Sequence, residues 1–140
     1  FHHADLRQKL DLGEDSWIGC YTIIDPEVKI GKQSFVHANC YICSRTTIGD
    51  EVFMAPMVGT VNEKTAQSRI GIQNDKDYHD IEFGPTIGNR CSIGQGANIM
   101  TGVKIGDGAI IGTAAMVTKD VPENQVWVGN PARYLKMREF

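Results

Sequence analysis

The sequence lacks any apolar run that could cross a membrane. Although 41% of its residues are hydrophobic, no run approaches the roughly 18 residues that a spanning helix needs. It also lacks the charged and then apolar leader of a secretory signal. We therefore expect a cytoplasmic protein without a membrane partner.

Cysteine is scarce and occurs at Cys20, Cys40, Cys43 and Cys91. Cys40 and Cys43 form a lone C-x-x-C motif, which by itself is a weak signal for redox or metal chemistry. Without a secretory leader the thiols are expected to be reduced, and a free cysteine packs as a small hydrophobic residue. We interpret these cysteines as structural, with a redox or metal role as the alternative.

A strong charge of one sign is also missing. The chain has 14 Lys and Arg residues against 17 Asp and Glu, which gives a net charge of −3. The basic residues are not clustered with aromatic residues, as they are in many nucleic-acid-binding proteins. Nucleic acid is therefore not a predicted partner, and a chain of 140 residues has the length of one domain.

What the sequence does contain is a repeat of six residues. From Ile87 to Val117 an aliphatic residue occurs at every sixth position, and the fifth residue of each unit is small or slender. The aliphatic positions are Ile87, Ile93, Ile99, Ile105, Ile111 and Val117, and the fifth positions are Cys91, Ala97, Val103, Ala109, Ala115 and Val121. A repeat must be identified before single elements, because it decides the whole fold.

A period of six fits neither a helix nor a simple alternating strand. It predicts a chain that turns a corner every six residues, so that three corners close a triangular coil of about 18 residues. Parallel strands would stack about 4.8 Å apart, and each coil would cover the face of the last. Gly often follows the aliphatic residue, where it fits a corner that needs unusual backbone angles or close approach.

The same register runs through the N-terminal half, from Leu12 to Met54. The units at Met54 and Ile87 are 33 residues apart, which is not a multiple of six. Long loops in compact domains are usually functional or disordered. We predict a single domain, 1–140, with about four to five coils (12–59 and 87–122), an extruded loop (60–86) and a C-terminal strand and helix (123–140).

Short caps are predicted at the two ends. Near the N-terminus Leu6 and Leu10 can share one helical face. Near the C-terminus Asn130 is a good N-cap and Pro131 a good first helical residue. A short helix running to about Arg138 would cover the open strand edges of the last coil.

The segment IGDGAIIGTAAMVTKDVP (105–122), followed by VGNPAR (128–133), resembles the C-terminal half of the hexapeptide-repeat acyltransferases. The resemblance covers about residues 12–136. It implies an all-β fold, a left-handed parallel β-helix, which is an exception to the right-handed crossover rule. It also implies a homotrimer with acetyl-CoA sites in the clefts between subunits, and no metal.

Six residues match positions that contact CoA in this family: Gln95, Thr113, Thr118, Lys119, Arg133 and Lys136. The first two match coil corners along which the pantetheine arm lies, and the next two match a Thr-Lys pair near the nucleotide. Arg133 and Lys136 match basic residues that reach the CoA phosphates, where Arg and Lys make charge-assisted hydrogen bonds. A solvated basic face is the alternative interpretation of the basic residues.

The start of the extruded loop bears on the acceptor. O-acetylating members of the family use a His there as general base, whereas this chain has Asn62 and Glu63. The pair is similar to the Asn-Asp pair of the sugar-nucleotide amino-sugar N-acetyltransferases. A neutral amine needs orientation more than a strong base, and Asn62 and Glu63 could provide it by hydrogen bonding. Their alternative role is to cap the loop.

His79 is the competing catalytic candidate, because His titrates near physiological pH and Asp77 or Asp80 could orient it. N-acetylation of a nucleotide-linked amino sugar is the preferred reading of the function. O-acetylation of a sugar or another small hydroxyl acceptor, with His79 as base, is the alternative. His37 follows Val36 at a predicted corner and is interpreted as an outward-facing residue.

Two other functions fit the sequence less well. A zinc enzyme of the carbonic anhydrase type needs three His ligands, but beyond a tag-like pair at the N-terminus only His37 and His79 remain. A non-catalytic β-helix scaffold has no need of the CoA-phosphate residues Lys119 and Arg133. The binding of acetyl-CoA distinguishes an enzyme from such a scaffold.

Overall fold

The computed structural model describes residues 3–62 and 83–140, and these residues form strands and turns with no helix. The strands are Asp5–Leu6 (β1), Asp11–Leu12 (β2), Trp17–Ile18 (β3), Ile23–Ile24 (β4), Lys29–Ile30 (β5), Phe35–Val36 (β6), Tyr41–Ile42 (β7), Thr47–Ile48 (β8), Phe53–Met54 (β9), Gly59–Thr60 (β10), Thr86–Ile87 (β11), Ser92–Ile93 (β12), Asn98–Ile99 (β13), Lys104–Ile105 (β14), Ile110–Ile111 (β15), Met116–Val117 (β16), Gln125–Val128 (β17) and Arg133–Met137 (β18).

Every third strand belongs to the same sheet. Sheet A contains β1, β4, β7, β10, β13 and β16, sheet B contains β2, β5, β8, β11 and β14, and sheet C contains β3, β6, β9, β12, β15, β17 and β18. Among the strands that the structure describes, all pairs are parallel except β17 with β18. Strands β1–β15 therefore make five coils of three strands, and β16 and β17 begin a sixth. This β-solenoid agrees with the left-handed parallel β-helix that the resemblance implies.

The corners are named by the sheets that they join. Corner AB follows a sheet A strand, corner BC follows a sheet B strand, and corner CA follows a sheet C strand. The interior between the three sheets holds the repeat residues, with Ile99, Ile93 and Ala97 fully buried. Cys40 and Cys91 are buried at the fifth position, where the repeat places them, and all four cysteines are free.

Glycine after the aliphatic residue serves close approach and not unusual backbone angles. A Cβ on Gly94 would lie 2.5 Å from the backbone nitrogen of Thr113 in the next coil. The left-handed conformation occurs two residues further on, at Gly96 (φ 70°), and many corners place a non-glycine residue there, such as Arg45 (φ 60°). Only close approach of the coils therefore accounts for glycine at the second position.

The coils extend further than the repeat alone predicts. At the N-terminus Asp5–Leu6 forms a strand that pairs with Ile23–Ile24, so the predicted helical cap is wrong. The hexad register already includes Leu6, which lies in line with Ile24. At the loop, Thr60 still lies in a strand, paired with Ile99. These strands and β17 raise the number of coils above the predicted four to five.

The predicted C-terminal helix is also wrong. After Val128 the chain reverses at Gly129 (φ 95°), and the Asn130–Pro131 peptide bond is cis. Strand β18 then runs back along β17 as an antiparallel pair. The turn docks on β16, because Met116 donates its backbone N–H to the Gly129 carbonyl (2.9 Å) and its carbonyl accepts from Ala132 N–H (2.8 Å). A sheet edge thus gains hydrogen bonds that a helix could not provide.

Candidate functional site

Gln95 and Thr113 occupy the same corner in consecutive coils. Both follow a sheet C strand at corner CA, and both are exposed. The Gln95 carbonyl accepts a hydrogen bond from the N–H of Ala114 at 2.8 Å, which locks the two turns together. An added Cβ on Gly96 would meet nothing within 4 Å, so there is open space beside this corner along which a thin ligand could lie.

Asn62, Thr118 and Lys119 lie on a different edge, corner AB. Strand register aligns Thr60 with Ile99 and Ile99 with Val117, so Asn62 and Lys119 are two coils apart. That corresponds to about 10 Å along the axis at the usual strand spacing. Asn62 is half-buried, whereas Thr118 and Lys119 are exposed. One chain therefore does not bring these residues together with Gln95 and Thr113.

Arg133 and Lys136 lie on β18 and are exposed. A guanidinium nitrogen of Arg133 donates to the carbonyl of Ala132 at 2.7 Å, and the ammonium of Lys136 lies 3.4 Å from the carboxylate of Glu139. Because the turn before β18 docks on Met116, at the start of β16, Arg133 lies beside corner CA. The structure thus brings Arg133 to the edge that carries Gln95 and Thr113.

Glu63 and His79 lie outside the described residues, as do Asp77 and Asp80. Their proposed roles at the acceptor therefore remain predictions.

A buried polar cluster at corner AB was missed by the sequence analysis. We call Cys43, Thr46, Thr60 and Gly84 the loop root, because they join the chain before residue 62 to the chain after residue 83. Thr60 Oγ1 accepts a hydrogen bond from the backbone N–H of Cys43 at 2.8 Å. Thr46 Oγ1 donates to the Cys43 carbonyl at 2.7 Å. The available signal was Thr60 itself, a polar residue at an aliphatic position of the register.

The thiols at this corner and in the core are not nucleophiles. Burial raises the pKa of Cys43, and Thr60 and Thr46 only partly offset it by hydrogen bonding to the thiol. Burial likewise raises the pKa of Cys91 to about 11. Since the thiolate is the reactive form, these residues are structural, as the sequence analysis interprets them.

Asp25 and Tyr41 form a second polar contact near corner AB. The Tyr41 hydroxyl donates to Asp25 Oδ2 at 2.5 Å, and Arg7 lies 3.0 Å from Asp25 Oδ1. Burial first, and then the hydrogen bond and charge of Asp25, raise the pKa of Tyr41 to about 12. The shift keeps the phenol neutral, so this contact ties coils together and does not supply a base.

His37 packs between two aromatic rings on the sheet C side. Its ring centroid lies 5.2 Å from that of Trp17, in an edge arrangement, and 5.0 Å from that of Phe53. The residue is half-buried at corner CA, two coils from Gln95. Its contacts are those of a packed aromatic residue at the surface.

A groove of about 650 Å³ lies on the outer face of sheet B beside corner AB. The guanidinium of Arg45 stands 5.5 Å above the ring of Phe83, and Glu27 lies 3.6 Å from Lys9 and 3.5 Å from Arg45. The groove is lined by Lys9, Asp11, Glu27, Lys29, Arg45, Thr47 and Phe83. Glu27 thus offsets part of the positive charge that Lys9 and Arg45 bring to the groove.

Among residues 3–62 and 83–140, no group of three or more His, Cys, Asp or Glu side chains is arranged to hold a metal ion. In the same part of the chain, no helix is long and apolar enough to span a bilayer.

Comparison with protein families matches residues 84–119 to the family described as bacterial transferase hexapeptide (six repeats). The galactoside O-acetyltransferase of Escherichia coli K12 is 33% identical over 129 residues, which are 89% of this chain and 62% of that protein. The chain spans little more than half the length of several curated relatives that it matches.

Solved structures show the same architecture. A maltose O-acetyltransferase from Clostridium difficile 630 is 31% identical with a TM-score of 0.75, and the match covers 94% of this chain and 72% of that one. WeeI from Acinetobacter baumannii AYE is 29% identical with a TM-score of 0.75, covering 95% of this chain and 55% of that one.

Proposed function

This chain belongs to the hexapeptide-repeat family of transferases, and we propose that it transfers an acetyl group from acetyl-CoA to a sugar. The observation that carries the proposal is the pair of exposed residues, Gln95 and Thr113, at corner CA. Gln95 and Thr113 stack there in consecutive coils, and the same edge ends beside Arg133. A pantetheine arm can lie along such an edge, and Arg133 and Lys136 supply positive charge for the CoA phosphates.

The cofactor site is completed by a second copy of the chain. Asn62, Thr118 and Lys119 lie on corner AB, whereas Gln95 and Thr113 lie on corner CA. Two edges of one prism face apart, so both sets can line one cleft only when adjacent subunits supply one edge each. We infer a homotrimer with three such clefts, in which corner AB of one subunit faces corner CA of the next.

The candidate residues on corner AB and those on corner CA follow the same order along the axis of the prism. Asn62 and Gln95 belong to the same coil, whereas Lys119 belongs to the sixth coil and Arg133 pairs with Val128 on the outer side of β17, the last strand of that coil. A CoA molecule parallel to the axis would then place its phosphates near the basic residues and its thioester near Asn62. Backbone N–H groups of the corner can stabilise the negative charge that develops on the thioester oxygen.

The acceptor that we favour is the amine of a nucleotide-linked amino sugar. Asn62 lies at the start of the loop on corner AB, where O-acetylating members of the family carry a His. With Glu63 it can accept and donate hydrogen bonds that orient an unprotonated amine. The second candidate is a sugar hydroxyl, which is favoured by the similarity to a galactoside O-acetyltransferase (33% identical) and to a maltose O-acetyltransferase (31% identical).

The test is direct. Purified protein is incubated with acetyl-CoA and, separately, with amino-sugar nucleotides, galactosides and maltose, and free CoA thiol is measured. We expect thiol release with a sugar acceptor and acetyl-CoA binding by calorimetry. Absence of acetyl-CoA binding would instead indicate the non-catalytic scaffold.

A further inference from the structure

The loop root departs from the hydrogen-bond pattern of every neighbouring coil at corner AB. In four coils the residue after the sheet A strand donates its N–H to a backbone carbonyl of the next coil. These donors are Arg7, Asp25, Val61 and Met100, which bond to the carbonyls of Ile24, Ile42, Ile99 and Val117 at 2.9–3.0 Å. The equivalent residue in the third coil, Cys43, instead donates its N–H to a side chain, Thr60 Oγ1, at 2.8 Å. The hydroxyl of Thr60 therefore accepts the hydrogen bond that a backbone carbonyl accepts in the other four coils.

Thr60 also differs from every other described residue at its repeat position. The second residue of each other strand from β1 to β16 is apolar, whereas Thr60 is polar and only 2% exposed. Its hydroxyl lies 3.1 Å from the Cys43 thiol sulfur. A buried hydroxyl is costly unless it is hydrogen-bonded, so its partners constrain where Thr60 lies.

The chain that returns from the loop is fixed on the same turn. The Cα of Gly84 packs so closely that an added Cβ would lie 2.4 Å from Thr46 Oγ1 and 2.9 Å from the Ser44 carbonyl. Thr46 in turn donates to the Cys43 carbonyl at 2.7 Å, and Thr47 donates its N–H to the Pro85 carbonyl at 3.1 Å. The turn at residues 43–46 therefore anchors both ends of the loop.

We propose that Thr60 is a positioning residue for the acceptor site. Its side-chain oxygen accepts from the Cys43 N–H in the third coil, while the N–H of Val61 donates to the Ile99 carbonyl in the fifth coil at 3.0 Å. Together these two bonds set the direction in which the chain leaves the prism. Asn62 is the next residue, so its place in the cleft follows from this geometry. The inference rests on the proposed function.

The test compares Thr60→Val with Thr60→Ser and with Thr22→Val. Valine keeps the shape of threonine but leaves the Cys43 N–H without an acceptor, whereas serine keeps the hydroxyl. Thr22 is a matched control, since it is fully buried and its hydroxyl bonds to the His37 carbonyl (2.7 Å) and the Cys40 N–H (3.2 Å), away from the loop root. Each variant is assayed for thermal stability, acetyl-transfer kinetics and amide hydrogen exchange.

We expect Thr60→Val to lower kcat/KM for the acceptor by at least about tenfold, because small displacements of orienting groups are costly. KM for acetyl-CoA should stay within twofold, and the amides of residues 43, 61 and 62 should exchange faster. Thr22→Val should lose similar thermal stability without these effects, and Thr60→Ser should restore most of the activity.

The proposal is overturned if Thr60→Val matches Thr22→Val in kcat/KM, or if exchange at residues 61 and 62 is unchanged. Failure of the proposed function looks different, because the wild-type protein would then bind acetyl-CoA poorly and release no thiol with any sugar. In that case the exchange data still decide whether Thr60 fixes the exit of the loop.

Discussion

The hydroxyl of Ser34 donates a hydrogen bond to the carbonyl of Gly49 at 2.8 Å and accepts one from the N–H of Val52 at 3.0 Å. The same bond to a carbonyl 15 residues ahead recurs at other fifth positions. The donors are Ser16, Thr22, Cys40 and Cys91, and the acceptors are Gly31, His37, Ala55 and Gly106. The fifth position therefore fills space and also satisfies backbone groups at the corner of the next coil.

Ser34→Ala should lower the free energy of unfolding by about 1–3 kcal/mol, because it leaves buried backbone groups without their partner. Ser34→Cys keeps a weak donor of the kind that Cys40 uses and should cost less. Urea unfolding at one fixed protein concentration measures the difference, since association shifts apparent stability. Equal stability of Ser34→Ala and wild type would show that the hydroxyl is not needed.

The repeat predicted the fold because few arrangements bury one large and one small residue every six positions. Ile99 is completely buried, as is Ala97 at a fifth position. The coil corner shared by Gln95 and Thr113 also follows from the register, since the two are 18 residues apart. The period thus determines which residues share an edge of the prism, although it says nothing about which edges meet in an assembly.

Prediction from the sequence failed where local helix signals and tertiary strand pairing disagree. Asn130 and Pro131 are a good helix start, but an open sheet edge next to them offers β18 a row of hydrogen-bond partners. Leu6 and Leu10 fit one helical face, yet Leu6 also fits the coil register and pairs beside Ile24. Thr60 was placed in the predicted loop because the repeat register is not continuous between Met54 and Ile87, and only the structure shows that Thr60 is buried.

Ile99→Asp should prevent folding. The side chain of Ile99 is fully buried, between coils that contribute Thr60 and Val117, and a carboxylate there has no cationic partner in this register, which makes its burial very costly. Expression and circular dichroism should show insoluble or unfolded protein, whereas Asn98→Asp, half-buried one residue away, should stay soluble. A soluble Ile99→Asp protein with a cooperative melting transition would contradict the register.

Tyr41 should ionise well above the ordinary pKa of a tyrosine. Its pKa is raised from 10.0 to about 12, first by burial and then by Asp25. Because the folded state favours the neutral phenol, Tyr41 contributes stability that is fully present below about pH 10 and is lost as the pH rises toward 12. Absorbance titration at about 295 nm, wild type minus Tyr41→Phe, should show one phenol titrating near pH 12.

Asp25→Asn is the matched variant for this titration. Removing the carboxylate charge should lower the pKa of Tyr41 only part of the way, because burial remains. A wild-type component for Tyr41 near pH 10 would contradict the contact with Asp25.

Lys119→Ala and Arg133→Ala should raise KM for acetyl-CoA and leave the fold intact. Both side chains are exposed in the single chain, so each is expected to contribute about 1 kcal/mol, or roughly fivefold in KM. The contribution rises toward about 1.5–3 kcal/mol where a neighbouring subunit covers the bond. Lys29→Ala, an exposed residue on sheet B in the second coil, is the control. Unchanged affinity in the double variant would remove the proposed phosphate contacts.

Whether turnover depends on Asn62 or on His79 is determined by the chemical nature of the acceptor. If the acceptor is an amine, Asn62→Ala and Glu63→Ala should each impair turnover, while His79→Ala retains most activity because the amine loses its proton to solvent after attack. If the acceptor is a hydroxyl, His79→Ala should lower kcat by about 10²–10⁴-fold, the usual contribution of a positioned general base.

The pH profile of the wild-type protein tests the same choice without any variant. Amine acetylation should keep rising with pH as the substrate deprotonates, whereas a His base gives a limb near pH 6.5. A large loss in His79→Ala with near-normal Asn62→Ala and Glu63→Ala would establish the hydroxyl as the acceptor.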